Sequence, residues 1–254
     1  MNTENLDIVY CLKNGVQGDE LRYSLRSLEN LPHRNVWIYG GKPNWICNVR
    51  HVPFTQTSTK WQNSTKMIEE ACRNNELSAN FIWFNDDFFV LKPITKLEYW
   101  HDRTLYDRAN DFKTAYQPTS RYGQMLISLG SALRGNGKPI KNYALHIPII
   151  FNRKKFLKMC EHYPDIIHGR SLYANEYEIP STQHKDVKIY SAYEKIPANS
   201  TFVSTSDASF ARGEVGKQLK KKFPNPCKYE IPKPIIRPTH PPQGCSATPF
   251  FKFR

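Results

Sequence analysis

Residues 80–91 read NFIWFNDDFFVL, an apolar and aromatic run that is interrupted by two adjacent aspartates, Asp86 and Asp87. The apolar part predicts a buried β-strand. Burying a carboxylate is unfavourable by several kcal/mol unless a cation or hydrogen-bond donors offset the lost hydration. We therefore expect the pair at the end of the strand, either in a turn that returns both groups to water or at a site for a cation or a substrate.

Strand and helix patterns alternate on the amino-terminal side of this run. Apolar runs predict strands at residues 7–12, 35–41 and 48–54, and one-sided apolar spacing predicts helices at residues 19–31 and 59–75. This order is typical of a doubly wound sheet, which binds ligands at the carboxyl ends of its strands. The aspartate pair is thus predicted to lie at the mouth of such a site.

The carboxyl-terminal half is less regular. Residues 146–164 predict a short strand and a helix, and residues 186–193 predict another strand, whereas residues 95–142 give no clear pattern. We expect one catalytic domain at residues 1–212. The remaining residues, 213–254, are predicted to form a basic, proline-rich extension that packs on this domain or trails from it.

The formal net charge of the 254 residues is +13. Such a charge favours a polyanionic partner, which includes nucleic acid, an anionic glycopolymer and phosphate-bearing small molecules. Residues 213–254 hold nine Lys or Arg against two Glu, so much of the excess lies in the extension. The alternative interpretation is a basic tail that is only solvated.

Targeting signals and cysteine clusters are not evident. No apolar run reaches the roughly 18 residues that a membrane span needs, and the first residues lack the pattern of a signal peptide. We therefore expect no membrane span and a cytoplasmic location, that of a bacterial host if a phage encodes the protein. The six cysteines are scattered, which predicts reduced thiols and no structural zinc site.

The acidic pair has two interpretations from the residues alone. Adjacent carboxylates at a strand end suit Mg²⁺ or Mn²⁺ that bridges two phosphate oxygens and stabilises the charge on a departing phosphate. Alternatively, Asp86 caps a turn and Asp87 is solvated.

Basic and amide side chains near the first strand suit phosphate. Lys13 and Asn14 follow that strand, where they can reach a nucleotide or its diphosphate, although Asn14 is equally a turn residue. Arg22 lies near the amino terminus of the first helix, a favourable position for anions. Arg26, one turn further, is expected on the solvated face of this helix.

Three stretches carry a resemblance to a known family. ELRYSLRSLENL (20–31), NVWIYGGKPNWI (35–46) and FIWFNDDFFVLKP (81–93) resemble the second conserved region of the Stealth proteins. These are the sugar-phosphate transferases of bacterial capsule synthesis and the lysosomal-enzyme phosphotransferase. DIVYCLKNG (7–15) is similar to their first region, where DIVYTWVNG is usual, and HIPIIFNRKKFLKMCEHYP (146–164) is similar to the third.

The likeness spans roughly residues 7 to 186 with gaps. The chain is also similar to small phage and prophage proteins usually labelled glycosyltransferases, some of which end in a stretch like STSDASF (204–210). The resemblance implies an α/β fold of the GT-A type, a mixed sheet flanked by helices in a single domain with an extended basic C-terminal tail. It also implies a nucleotide-sugar donor, which we expect to be UDP-linked, and Mn²⁺ or Mg²⁺.

Carried over by position, the resemblance and the reasoning above predict a site. Asp86 and Asp87 match the acidic pair of the family, Asn14 and Gly15 match its Asn-Gly, and His146 matches its catalytic histidine, although a lone histidine at a strand start is often structural. The predicted catalytic residues are Asp87, His146 and Asp186, the last as a base on the acceptor side. The predicted metal ligands are Asp86, Asp87 and His146, and the predicted donor-binding residues are Lys13, Asn14, Gly15, Arg22 and Asp86.

The chain also departs from the family pattern. In the first region this chain has CLKNG (11–15), so the Trp-Val that precedes Asn-Gly in the family is absent. No fourth region is evident. The Arg-His-x-x-Asp of the third region is not recognisable, because SLYANEYEIPSTQHKD (171–186) stands in its place. Loss of this arginine favours plain glycosyl transfer over transfer of a sugar-1-phosphate.

Three functional hypotheses follow. The first is a metal-dependent glycosyltransferase that moves a sugar from a nucleotide sugar to a hydroxyl group of a polyanionic acceptor. That acceptor is hydroxymethylated phage DNA, held by Lys220–Lys222, or a cell-wall glycopolymer. The second is a Stealth-type sugar-1-phosphate transferase, and the third is a nucleic-acid-binding protein without enzymatic activity, for which salt-dependent binding is expected.

Overall fold

A computed structural model describes residues 2–113, 119–165 and 168–232 of the chain. The strands are β1 (Asp7–Leu12), β2 (Val36–Gly40), β3 (Arg50–Val52), β4 (Asn80–Phe84), β5 (Phe88–Val90), β6 (Tyr99–His101), β7 (Ile149–Asn152), β8 (Ser181–Gln183), β9 (Lys188–Ile189) and β10 (Phe202–Thr205). The helices are α1 (Asp19–Ser27), α2 (Lys60–Arg73), α3 (Leu105–Asn110), α4 (Arg121–Gly135), α5 (Arg153–His162), α6 (Gly169–Glu176), α7 (Asp207–Ala211) and α8 (Glu214–Lys222).

The main sheet has five strands in the order β3-β2-β1-β4-β7. β1, β2, β3 and β4 are parallel, and β7 runs antiparallel to β4 at one edge. β1 and β4 lie side by side at the centre, so helices must cover both faces of these strands, which explains their nearly continuous apolar sequences. The predicted α/β fold with a mixed sheet is confirmed, and the strands at residues 7–12, 35–41 and 48–54 lie in it.

The two faces of this sheet pack against different elements. Along β1, Ile8 and Tyr10 belong to one hydrophobic cluster with Leu21 and Leu25 of α1, while Val9 belongs to a second cluster. This alternation follows from the two-residue period of a strand. The second cluster joins the sheet to α2, α4 and α5.

Two smaller sheets extend the fold. β5 and β9 flank β10, antiparallel and parallel to it respectively. A third hydrophobic cluster packs this sheet against α7 and α8. β6 and β8 form a two-stranded parallel sheet. Residues 95–142, which gave no clear pattern, contain β6, α3 and α4, with residues 114–118 outside the described part.

The extension predicted at residues 213–254 is described as far as residue 232. Its first part forms α8, whose Val215 and Leu219 are fully buried. Most of the proline-rich stretch and Cys245 fall outside the described residues. The other five cysteines form no disulfide. In the part of the chain that the structure describes, no helix is long and apolar enough to cross a membrane.

Glu230 fastens the end of the described chain to α1. Its carboxylate, 3% exposed, accepts hydrogen bonds from Arg26 Nε at 2.6 Å and from Arg22 Nη1 at 2.5 Å. Arg26 also donates to the carbonyl oxygens of Phe223 and Pro224. The expectation that Arg26 is solvated is therefore wrong. The helical period places Arg26 outside the apolar face of α1, but the segment from Phe223 to Glu230, which is distant in sequence, covers that side of the helix.

We predict that Glu230→Gln lowers the free energy of unfolding by about 3 kcal/mol at pH 7, because it leaves buried guanidinium charge without a counter-charge. Hydrogen bonds from Arg26 and Arg22 outweigh the effect of burial and lower the pKa of Glu230 to about 2. This stability is thus complete above the ordinary carboxyl pKa and is lost as the pH falls towards 2. Urea denaturation of both proteins at pH 7 and at pH 3 measures the difference.

The matched control is Glu76→Gln. Glu76 pairs with Arg50 at the surface, and both side chains are more than half exposed. Exposed pairs contribute about 0–1 kcal/mol, so this variant is expected to resemble the wild type. Equal losses in the two variants would contradict the role assigned to Glu230.

Candidate active site

The acidic pair lies where β4 ends. Asn85, Asp86 and Asp87 form the turn into β5, with the amide of Phe88 donating to Asn85 O at 3.2 Å. Asn and Asp suit such turns because their short side chains hydrogen-bond to the nearby backbone. β4 is parallel to its neighbour β1, so the pair stands at the carboxyl edge of the sheet, as the sequence predicts.

The two oxygens of Asp87 have different surroundings. Oδ2 accepts hydrogen bonds from Lys188 Nζ at 2.7 Å and from Ser204 Oγ at 3.1 Å. Oδ1 is buried and has no hydrogen-bond partner among the described residues. A buried acceptor without a partner is costly in a finished fold. The arrangement therefore fits a ligand that contacts Oδ1.

Two further carboxylates lie close to Asp87. Burial and the neighbouring charge of Asp87 raise the pKa of Asp86 to about 6. Burial raises the pKa of Glu20 to about 7, despite a hydrogen bond that Thr205 Oγ1 donates at 2.7 Å, and the charges of Asp87 and Asp86 add to this effect. Three partly buried carboxyl groups thus share one region that holds a single described counter-charge at hydrogen-bond distance, the ammonium of Lys188.

Asp86 and Asp87 fit a divalent cation as hard oxygen ligands, and the unpartnered Oδ1 of Asp87 is available to one. His146, predicted as the third ligand, forms its side-chain hydrogen bonds with Asp186 instead. Among the described residues no group of three His, Cys, Asp or Glu side chains is arranged to hold a metal ion. Mg²⁺ is commonly held by one or two carboxylates together with substrate phosphates, so the two aspartates are the fitting set.

His146 and Asp186 form a dyad. The Nδ1 atom of His146 lies 2.8 Å from Asp186 Oδ2, and its backbone amide donates to Oδ1 at 3.1 Å. Burial alone would raise the pKa of Asp186, but the hydrogen bonds from His146 hold it below its ordinary value. With Nδ1 directed at a carboxylate, Nε2 is the nitrogen that can exchange a proton with a substrate. The sequence named both residues but did not predict that they pair.

A cavity of about 220 Å³ opens beside this dyad. Its wall includes six residues that matter for the chemistry: Trp83, Asn85, Phe88, His146, His168 and Arg170. Burial lowers the pKa of His168 to about 4, so its imidazole is neutral, and its buried Nε2 has no partner among the described residues. The cavity thus joins the end of β4 to the dyad.

Arg170 is the functional candidate that sequence reasoning missed. Its Nη1 donates to the carbonyl oxygens of Leu145, at 3.1 Å, and Ile147, while Nη2 is buried without a partner among the described residues. The guanidinium stands 4.4 Å from the ring centre of Trp83. Burial lowers the pKa of Arg170 to about 9, although the charges of Asp87 and Asp186 oppose this shift. A buried cation with unused N–H groups is suited to bind an anion.

The position of Arg170 in the sequence is the one signal that could have pointed to it. The missing arginine of the third region was sought within residues 171–186, whereas Arg170 precedes that stretch directly. It begins a run of α6 that is buried from Arg170 to Asn175. An arginine is rarely buried in a helix without a partner or a ligand.

The predicted donor-binding residues of the first loop lie at the edge of the sheet that holds the acidic pair. Lys13, Asn14 and Gly15 follow β1 at the same carboxyl edge, and Gly15 adopts a φ of 79°. The Asn14 side chain donates to Phe54 O at 3.2 Å, which fixes this loop. Arg22, which lies on α1, is not a free cation. It pairs with Glu230, and its guanidinium carbon lies 4.0 Å from the ring centre of Trp45.

Comparison with known proteins bears on the fold. The chain is similar to the galactosyltransferase LgtC, solved in complex with donor and acceptor sugar analogs, with a TM-score of 0.51 over 90% of this chain and 98% of that one, at 10% identity. An active-site mutant of LgtC matches with a TM-score of 0.47 at 11% identity, over 85% of this chain and 95% of that one. The chain has a GT-A glycosyltransferase fold. At this level of identity the likeness extends to the fold alone.

The sequence comparison agrees with the motifs. The chain is 26% identical over 230 residues to an exopolysaccharide phosphotransferase of Streptomyces coelicolor, which covers 80% of this chain and 38% of that protein. The chain therefore spans less than half the length of the curated relative that it matches. No family model matches. The GT-A chain thus resembles a Stealth-type phosphotransferase, as the stretches quoted from its sequence predicted.

We predict that Asp86→Asn raises the free energy of unfolding at pH 7.5 by about 2 kcal/mol, a value reduced for the partial exposure of this side chain. The folded protein binds the Asp86 proton more tightly than the unfolded chain does. The stability that this proton provides is present near pH 4 and is lost as the pH rises through about 6. Thermal and urea denaturation between pH 4 and pH 7.5 test the difference, which should vanish at the acidic end.

The control for this prediction is Asp165→Asn, which alters an exposed carboxylate. Its effect is expected to be small at every pH. A destabilising effect of Asp86→Asn at pH 7.5 would contradict the electrostatic description of the acidic cluster.

Proposed function

We propose that the protein transfers a sugar phosphate from a nucleotide-sugar donor to an acceptor hydroxyl group. The observation that carries this proposal is the buried, partly unpaired guanidinium of Arg170 in the same cavity as His146. A phosphoryl group in transfer carries negative charge on oxygens that a planar guanidinium binds well. The name of the Streptomyces relative, an exopolysaccharide phosphotransferase, supports the same reaction class.

The dyad supplies the proton acceptor. His146 Nε2 takes the proton of the attacking hydroxyl while Asp186 orients the ring and stabilises the imidazolium that forms. The acceptor oxygen bonds to the phosphorus that carries the sugar, and the bond from that phosphorus to the bridging oxygen breaks. A nucleoside monophosphate leaves. Arg170 stabilises the charge on the phosphoryl oxygens as this exchange occurs.

The donor lies along the carboxyl edge of the sheet. Asp86 and Asp87 would hold Mg²⁺ or Mn²⁺, which when bound neutralises charge on the diphosphate. Lys13, Asn14 and Gly15 form the loop after β1 at this edge and are suited to contact the nucleotide. Lys188 fixes Asp87 from the other side. The proposed donor is UDP-linked.

The second candidate is plain glycosyl transfer, which the GT-A fold and the acidic pair at the end of β4 favour. In this reaction the acceptor oxygen bonds to C1 of the sugar, and a nucleoside diphosphate leaves. For either reaction the net charge of +13 supports a polyanionic acceptor, with a cell-wall glycopolymer and hydroxymethylated DNA as the two classes to compare.

The leaving group separates the two reactions. UDP-, GDP-, CDP- and dTDP-sugars are screened by thermal shift with and without Mn²⁺, for wild type and Asp87→Asn, and the products are identified by mass spectrometry. We expect one nucleotide sugar to raise the melting temperature of the wild type but not of Asp87→Asn. The product from that donor should be the nucleoside monophosphate. Release of the diphosphate would favour glycosyl transfer. Absence of any donor effect would overturn both and favour a binding protein.

We predict that Arg170→Lys lowers kcat for sugar-phosphate transfer by roughly 10²- to 10³-fold, because lysine keeps the charge but loses the planar donor pair. The KM for the donor should change much less. Steady-state kinetics on the donor identified above give both quantities.

The control is Arg153→Lys, which removes a structural arginine that donates to Cys72 O, Leu77 O and the Asn75 side chain. Its expected effect is on stability, not on kcat. If both variants lose activity in proportion to their loss of folded protein, the role of Arg170 in catalysis is wrong.

A further inference from the structure

Two tyrosines stand exposed on the segment that follows β9. Tyr190 is 59% exposed and Tyr193 is 91% exposed, and both belong to the segment of residues 190–196 that follows β9. A single exposed apolar side chain needs no explanation. Two exposed aromatic rings within four residues, on a segment that leaves an active site, are suited to stack on a ligand.

This segment is fixed in place. The amide of Glu214 donates to Ala192 O at 2.9 Å, and the amide of Ile196 donates to the Gln218 side chain at 2.8 Å. A Cβ added at Gly213 would stand 3.0 Å from the Cα of Ala192, so the segment lies directly against the start of α8. The rings are therefore presented by an anchored backbone, which reduces the conformational entropy that binding would cost.

The segment begins beside the acidic pair. The ring of Tyr190 lies 5.7 Å from the Nζ atom of Lys188, and that ammonium is 2.7 Å from Asp87 Oδ2. A molecule that stacks on Tyr190 would thus be close to the carboxyl edge where the donor is proposed to bind.

The neighbouring face of α8 is basic. Val215, Gly216 and Leu219 are buried against the third cluster, so the helical period places Lys217 and Lys221 on the outer face. Lys217 there pairs with Glu214 at 2.7 Å, but its side chain is 70% exposed, and exposed pairs contribute only about 0–1 kcal/mol, so an anion can compete for this ammonium. Glu214 and Gln218, which hold the tyrosine segment, share that outer face. Residues 190–223 contain six Lys or Arg against three Asp or Glu.

We propose that residues 190–196 and the outer face of α8 form the acceptor platform, and that the acceptor is an anionic glycan. The rings of Tyr190 and Tyr193 pack against the C–H faces of its sugars, which buries apolar surface on both sides. Lys195, Lys217 and Lys221 contact its phosphate or carboxylate groups. This inference rests on the proposed function, since it assigns the acceptor of that reaction.

The platform suits a glycan better than duplex DNA. The bases of a duplex are stacked inside the helix and present only their edges in the grooves, so the exposed tyrosines would have no ring face to cover. Single-stranded nucleic acid does present such faces, and the experiment includes it for that reason.

Four polymer probes distinguish the binding of sugar rings from attraction to negative charge. Labelled dextran sulfate, neutral dextran, inorganic polyphosphate and an oligothymidylate strand are titrated with the full chain at one low salt concentration, and affinities are read by fluorescence anisotropy. We expect dextran sulfate to bind tightest, because among the four probes it alone combines the C–H faces of pyranose rings with anionic groups. Tyr193→Ala should weaken its binding while Tyr193→Phe, which keeps the ring, should not.

The charge is tested by Lys217→Glu with Lys221→Glu, for which we expect a loss of about tenfold or more in affinity for dextran sulfate. The matched control is Lys154→Glu with Lys158→Glu, two exposed lysines with the same spacing on α5. Equal losses in both double variants would overturn the platform, because attraction would then be general. Tighter binding of oligothymidylate, or an unchanged affinity in Tyr193→Ala, would also overturn it.

Donor hydrolysis distinguishes this inference from the proposed function. The platform variants should hydrolyse the donor at the wild-type rate with water as acceptor and lose only transfer to the glycan. If the wild type neither binds nor cleaves a donor, the proposed function fails, whereas the polymer titrations still report on the platform.

Discussion

The ion pair between Asp87 and Lys188 is the constraint on which the site depends. Both side chains are about 15% exposed, so neither charge can remain without the other at low cost. Asp87 follows the central strand β4, and Lys188 begins β9 of the smaller sheet. The pair therefore ties the end of the main sheet to an element 101 residues later, and Ser204 of β10 adds a hydrogen bond to the same oxygen.

The extended segment around Lys188 also positions the other residues of the site. Successive side chains of an extended chain point to opposite sides, so Asp186, Lys188 and Tyr190 share one side while Val187 and Ile189 pack into the hydrophobic clusters. Asp186 orients His146, Lys188 neutralises Asp87, and Tyr190 opens towards solvent. One short segment thus positions the dyad, the acidic turn and the exposed aromatic surface relative to one another.

Local patterns in the sequence predicted the strands of the main sheet and the position of Asp86 and Asp87, because both depend on short-range periodicity. The pairing of His146 with Asp186 spans 40 residues, and that of Arg22 with Glu230 spans 208. Neither leaves a periodic signal, so Arg22 was assigned to donor phosphates from its helix position alone. Arg170 was missed for a related reason: its value lies in burial beside His146, which depends on the packing of α6.

The pKa shifts distinguish the carboxylates that hold the scaffold from those of the candidate site. Among the carboxylates that hold the scaffold, Asp7 and Glu230 each receive several hydrogen bonds, and their pKa values lie below the ordinary range. At the acidic cluster the pKa values of Glu20 and Asp86 are raised, and Asp87 Oδ1 and Arg170 Nη2 are buried without described partners. The hydrogen bonds and opposite charges that satisfy Asp7 and Glu230 are thus incomplete at the acidic cluster. Because a ligand that completes them binds only the folded state, it raises the free energy of unfolding by an amount that grows with the logarithm of its concentration relative to Kd.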